Sequence, residues 1–361
     1  MPRKKAVDEP IPLQIVKQMA DAFPGCYEKV EEMRRDKGKG LPDWDDRCYI
    51  PINGTLAIMD YFREKKPNPD CFPGLLEATA GWRQFKPIYK FDKDLFYLLT
   101  SETDDTDMVI PTEILNNLPY QTIYIDVEDA EEEFLGYFVY WDYDVNTGTI
   151  ELRFTTCDRN GDFDTNIMMT KPGWTIEDSI KALVRSSIKS YYDDEINENL
   201  KSWGLDRKKS EISKFNNDNF IKEYQKEIIK FLQPVLYICA INADINENPE
   251  QKKIHRPPAP KSPIKDAFRE IEKWDVGVRV GSQIRKHRVS EITQSRSSGT
   301  HRSPRPHTRR AHWAHYWTGP RKPDESGNKP EQTLILKWIP PTYVNFGGDD
   351  GELPAVEHKV K

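Results

Sequence analysis

Nine of the thirteen residues in RPHTRRAHWAHYW, Arg305 to Trp317, are Arg, His, Trp or Tyr. Pro306 on one side and Gly319-Pro320 on the other bracket a segment short enough for a strand. Strand alternation puts His307, Arg309, Trp313, His315 and Trp317 on one face, and Thr308, Arg310, His312 and Tyr316 on the other. Neither face is a plain apolar stripe. Arginines meet phosphates while aromatic faces stack bases, which suits RNA. Trp, Tyr and Arg also dominate protein interfaces. His312 and His315 fall on opposite faces with no Cys nearby, so a zinc site is not expected. A histidine acting as general acid or base, as in a metal-independent ribonuclease, would need a second titrating group and a phosphate-binding cation beside it. Trp313 and Trp317 also read as anchors of a small sheet. Arg305, His307, Arg309, Arg310, His312, Trp313, His315, Tyr316 and Trp317 are therefore candidate partner-binding residues, for RNA, ribosome or protein.

Other chemistries fail on spacing. The chain has no Gly-rich loop ending in Lys-Ser/Thr, no GxGxxG, no HExxH and no GxSxG. No cofactor, metal or catalytic residue is expected. DRNGDFD, residues 158–164, has carboxylates at alternating positions, but Gly161 is fourth and Met169 holds the place a calcium loop gives to Glu, so a β-turn is expected. EDAEEE, residues 128–133, reads as a solvated loop. The five cysteines include no CxxC pair and fit a reducing compartment. FLQPVLYICAI, residues 231–241, is too short and too polar for a membrane span, and Asp8, Glu9 and Pro10 stand where a signal peptide would be apolar. A cytoplasmic protein without a membrane partner is expected.

The elements that must position the segment are α+β. Residues 11–35 show helical spacing broken at Pro24-Gly25, and residues 54–62 and 74–85 continue in helix. Residues 121–127, 134–143 and 149–156 are β-branched and aromatic, with Asn146-Thr147-Gly148 as a hairpin signal. Helix returns at 175–192, where Thr175 and Asp178 form a capping box, and at 219–243. Helices packed on an antiparallel meander sheet are expected, joined to a smaller basic β-rich C-terminal module. In that module WDVGVRVGSQI and TLILKWIPPTYVNF read as strands.

Charge divides the chain in the same way. Residues 1–251 carry a net −16 and residues 252–345 a net +12, within a total of −6. Such asymmetry suits a polyanionic partner for the basic half, or packing of the halves on each other. The expected organisation is an acidic α+β domain over 1–248, a Pro-rich linker over 249–265 and a basic module over 266–346. The module contains a mobile loop at 290–304, and 347–361 is a tail.

RPHTRRAHWAHYWTG followed by TLILKWIPPTYVN resembles the C-terminal signature of the second-described type V-A anti-CRISPR family. AGWRQFKPIY at 80–89, IPTEILNNLPYQTIYID at 110–126 and the hairpin region from Phe134 to Asp158 are collinear with it. The insert RKPDESGNKPEQ, 321–332, is longer than the family pattern leads one to expect. The resemblance implies a protein of bacterial mobile elements and phages that suppresses production of the type V-A CRISPR effector nuclease. It would recognise the effector's N-terminal polypeptide during translation, near the ribosome, and cause loss of its mRNA. It implies an adaptor recruiting host mRNA turnover; an RNA-binding protein or a metal-independent ribonuclease is the alternative. For a peptide groove in the acidic domain, Trp82, Tyr89, Tyr124 and Trp141 are the aromatic candidates, and the same four read equally well as core.

Overall fold

The computed structural model describes residues 9–65, 73–102, 110–191, 218–245, 271–294, 307–320 and 332–344. They fall into two compact units, and neither is contiguous in sequence. The first is drawn from within Met1–Lys90, Pro119–Ile167 and Asn248–Trp274, the second from within Phe91–Leu118, Met168–Glu247 and Asp275–Lys361. This division differs from the expected boundary at 248, because strands distant in sequence return to one sheet. The linker at 249–265, most of the loop at 290–304 and the tail at 347–361 lie outside the described residues.

Four helices lead the first unit: α1 (Ile11–Ala22), α2 (Cys26–Asp36), α3 (Ile52–Lys65) and α4 (Pro73–Trp82). The break at Pro24-Gly25 falls where the sequence puts it. The strands follow as β1 (Pro87–Phe91), β2 (Thr122–Asp126), β3 (Phe134–Asp144), β4 (Thr149–Asp158), β5 (Phe163–Thr170) and β6 (Glu272–Val276). They form one sheet in the order β5-β4-β3-β2-β1-β6. The β2-β3-β4 portion is the expected antiparallel meander, whereas β1 pairs parallel to β2. The sheet is therefore mixed, because PIYKF, next to the 74–85 stretch read as helix, forms a strand after α4 ends at Trp82. Apolar faces of the four helices, including Ile15, Met19, Val30, Ile58 and Leu76, close over Tyr124, Phe138 and Tyr140 of the sheet.

Two loops behave as their composition suggests. Asp158 accepts from the N–H groups of Asn160 and Asp162, a polar turn with its own acceptor. The acidic loop is held by Arg159, which donates to the carbonyls of Glu128, Glu131 and Glu132.

The second unit is built on α5 (Lys93–Tyr97), α6 (Ile176–Tyr191), α7 (Asp218–Cys239) and α8 (Val278–Gln294). It also contains a π-helical turn at Leu98–Glu102 and a 3-10 turn at Thr112–Asn117. Thr175 and Asp178 exchange the capping-box bonds at the start of α6. α7 is central: Leu232, Val235 and Leu236 are fully buried, and Tyr237 packs edge-on against Phe91 and Trp338. WDVGVRVGSQI is not one strand. Gly277 takes a positive φ of 79°, which turns the chain from β6 into α8. α8 also covers 290–294, the first residues of the expected loop.

The unit's remaining strands are β7 (His307–Arg309), β8 (His312–Thr318), β9 (Thr333–Ile339) and β10 (Thr342–Val344). β7 pairs with β10 and β8 with β9, both antiparallel. Residue pairing passes from Arg309–Thr342 to His312–Ile339 without slip, so the two pairs are one ribbon. Its ladder is interrupted opposite Pro340-Pro341, which have no N–H to donate. The single strand expected over 305–317 is accordingly two strands in one register.

Candidate functional site

The ribbon presents its two strands unequally. On β9 the alternate side chains of Leu334, Leu336 and Trp338 are buried, as α7 covers that strand. Their direct partners on β8 are Trp317, His315 and Trp313. Trp313 is half-buried and donates its indole N–H to Oε1 of the buried Gln233 at 2.7 Å, which anchors β8 to α7. Farther along, that cover stops: Trp317 is 48% exposed, Tyr316 39%, and His315 is exposed. His312 and Arg310 are exposed as well, while Ala311 between them is buried. Lys337 of β9 lies 5.7 Å from the ring centre of Tyr316. Of the sequence candidates, Arg310, His312, Trp313, His315, Tyr316 and Trp317 are thus brought onto one strand and its approach. His307 and Arg309 lie in β7, where only the backbone is described, and Arg305 lies outside the described residues. The described part of this surface can stack planar groups and meet anions.

The far edge of β9 is occupied. Ile241 donates its N–H to the Leu336 carbonyl at 2.9 Å. The Asn242 amide donates to the Trp338 carbonyl at 2.8 Å and accepts from the Trp338 N–H at 3.0 Å. A two-residue segment after α7 therefore stands in for a third strand.

The four aromatics expected to line a peptide groove are core residues. Trp82 is fully buried and donates to the Pro87 carbonyl at 2.9 Å. Tyr89 stacks on Trp274 with ring centres 4.9 Å apart, and Tyr124 packs edge-on against Phe138 at 5.0 Å. Trp141 is buried, with the Arg47 guanidinium 5.2 Å from its ring centre. Packing already uses their faces, so an extended peptide has none of them to lie along.

A second concentration of chemistry, missed in the sequence, lies in the first unit. Asp142 of β3 and Glu151 of β4 are direct cross-strand partners, and Arg153 follows two residues along β4 on the same face. The buried guanidinium of Arg153 lies 2.5 Å from Asp142, 2.9 Å from Glu151 and 3.4 Å from Glu77 of α4. Asp142 also accepts from the N–H of Ile52 at 3.0 Å, at the start of α3. The ligand-type atoms of Cys48, Glu77 and Asp142 come within 4.8 Å of one another. The guanidinium already supplies a cation to that group, so an ion network tying α3 and α4 to the sheet describes it better than a metal centre. Three carboxylates share one cation. Burial, reinforced by the charge of Asp142, raises the Glu77 carboxyl well above the usual carboxylate range, and burial likewise raises Glu151. The sequence signal was the interruption of two apolar strands by acids and an arginine. Its partner Glu77 is visible only once α4 is placed.

Comparison with known proteins assigns the chain. A family model described as the Anti-CRISPR type V subtype A2 family, AcrVA2-like, matches residues 89–346, most of the chain and the whole ribbon. The chain belongs to the AcrVA2-like family. It is also 27% identical over 370 residues to Protein FinQ of Escherichia coli, across 96% of this chain and 97% of that protein. A solved structure titled "Crystal structure of AcrVA2" has a similar fold, with a TM-score of 0.56 and 18% identity over 92% of this chain and 97% of that one. Among the described residues, no helix is long and apolar enough to cross a membrane.

Proposed function

We propose that this protein lowers production of a type V-A CRISPR effector nuclease by recognising the effector's N-terminal polypeptide as it is translated, which leads to loss of the mRNA. Membership of the AcrVA2-like family supports the target class. The exposed aromatic and imidazole side chains of β8, with the exposed Arg310 at its approach, are the observation that carries the rest, because they offer contacts both to ribosomal phosphates and to a protein chain. The protein works as a cytoplasmic adaptor, without a metal or cofactor, and host enzymes destroy the message. Trp82, Tyr89, Tyr124 and Trp141 are not part of this proposal, since they form core.

The test uses full-length protein and ribosomes stalled with the effector's N-terminal peptide emerged. Retention on these ribosomes is expected, with no cleavage of their RNA. Binding should weaken as salt rises, and Ala at Arg305, Arg309 and Arg310 should flatten that dependence by up to about three counterions. Equal retention on ribosomes lacking the peptide, or RNA cleavage by the purified protein, would contradict the adaptor reading.

A further inference from the structure

Among the described residues no strand pairs with the outer edge of β8, whereas the opposite edge of the ribbon is filled. On β9, the Leu336 carbonyl and both backbone groups of Trp338 point away from β8, toward Ile241 and Asn242. The pairs His315–Leu336 and Trp313–Trp338 are therefore the kind that exchange no ladder bonds, and Trp317–Leu334 follows by alternation. Consequently the N–H and C=O groups of Trp313, His315 and Trp317 face away from β9. Among the described residues none of these groups has a backbone partner.

We infer that β8 accepts an extended peptide carrying acidic side chains, which adds to the ribbon as a third strand along Trp313, His315 and Trp317. Two features choose this occupant. The free groups recur at alternate residues, roughly 6.8 Å apart, which is the repeat of a peptide backbone in an antiparallel ladder. Nucleic acid offers no such alternation of carbonyls and amides. The flanks are cationic or imidazole-bearing: Arg310, His312 and His315 are exposed, and Lys337 stands on the neighbouring strand. Acidic side chains on one face of the incoming strand meet Arg310 and His312, and apolar side chains on its other face can lie against Trp317. The inference concerns the chemistry of the edge and holds whichever message the protein silences.

The test is fluorescence anisotropy on the full chain with a labelled decapeptide of alternating Glu and Val. Saturable binding is expected, with a Lys-Val decapeptide at least about tenfold weaker. Two further decapeptides carry N-methyl groups on every Glu or on every Val. One of the two should lose about tenfold or more, because only one set of amides faces the protein. H315P removes an outward N–H and leaves the β8–β9 ladder intact, so it should weaken binding about tenfold, whereas H315A should change it less than about threefold. The methylated peptides keep the question open to refutation even if H315P fails to fold. The inference fails if the acidic peptide does not bind, if both methylated peptides bind like the parent, or if H315P binds like the parent. It also fails if a labelled U10 oligonucleotide displaces the peptide and binds equally to H315P, which would make the face an RNA reader. Self-association abolished by H315P would assign the edge to a second copy instead.

Discussion

Arg153 holds three buried acids of the first unit together. Its guanidinium is the only cation in contact with Glu77, Asp142 and Glu151 among the described residues. Arg153→Ala leaves those acids buried without compensation, and a loss of about 3–5 kcal/mol in urea unfolding is expected. A loss below about 1 kcal/mol would mean that water reaches the cluster. Glu77 adds a pH dependence. Its folded pKa is raised, so the folded state holds the proton more tightly than the unfolded chain does. That contribution is complete below the unfolded carboxylate pKa of about 4.3 and is lost as pH rises through the raised folded value. Glu77→Gln keeps the shape without titrating, so its stability should fall less between acidic and alkaline pH than that of the parent. Parallel curves for the two would show that Glu77 is ionised throughout. Asp142, Glu151 and Arg153 were visible in the sequence as polar residues inside apolar strands. Their meaning was not, because cross-strand register and the approach of α4 decide which charges meet.

The elements were legible wherever a long period governed them. Helices α1, α2, α6 and α7 and the β2-β3-β4 meander lie within a few residues of their sequence patterns. Short or interrupted elements were not. β1 has five residues beside a helical stretch, and WDVGVRVGSQI alternates well enough to hide the turn at Gly277. What makes α8 a helix is tertiary: it packs on α5 at a distance that only glycine allows. A Cβ on Gly281 would lie 2.0 Å from Oδ1 of Asp92. Asp92 caps α5 by accepting from the N–H groups of Asp94 and Leu95, and it also binds Arg285 of α8 at 3.0 Å. Gly281→Ala should therefore cost about 1–3 kcal/mol by thermal or urea unfolding, despite alanine's better helix propensity. A stabilised variant would show that α8 and α5 separate without penalty. In the ribbon, Pro340-Pro341 divide the ladder but not the register, which is why His307–Arg309 and His312–Thr318 continue as one line of strand.

At the scale of the whole molecule, the acidic and basic halves of the sequence do not coincide with the compact units. Each unit takes segments from both sides of residue 248. A linear reading of charge and proline content sees contiguous stretches, whereas the sheet gathers strands separated by well over a hundred residues. The candidate surface was nonetheless legible, because a dense run of cations and aromatics between turn residues carries its exposure in its composition. Which backbone edge has no strand partner among the described residues was not legible, since Ile241 and Asn242 fill the other one only after α7 is folded. The central claim is that the protein reads amino acids rather than nucleotides, and recoding the start of the effector gene tests it most directly. Effector mRNA would be measured with and without the protein for two versions of the first few dozen codons. One is synonymously recoded with the peptide kept, and the other is frameshifted and restored so that nearly all nucleotides remain but the peptide is scrambled. Message loss should persist for the recoded gene and disappear for the frameshifted one. Loss that survives the frameshift and fails on recoding would contradict the account and make the ribbon a reader of RNA.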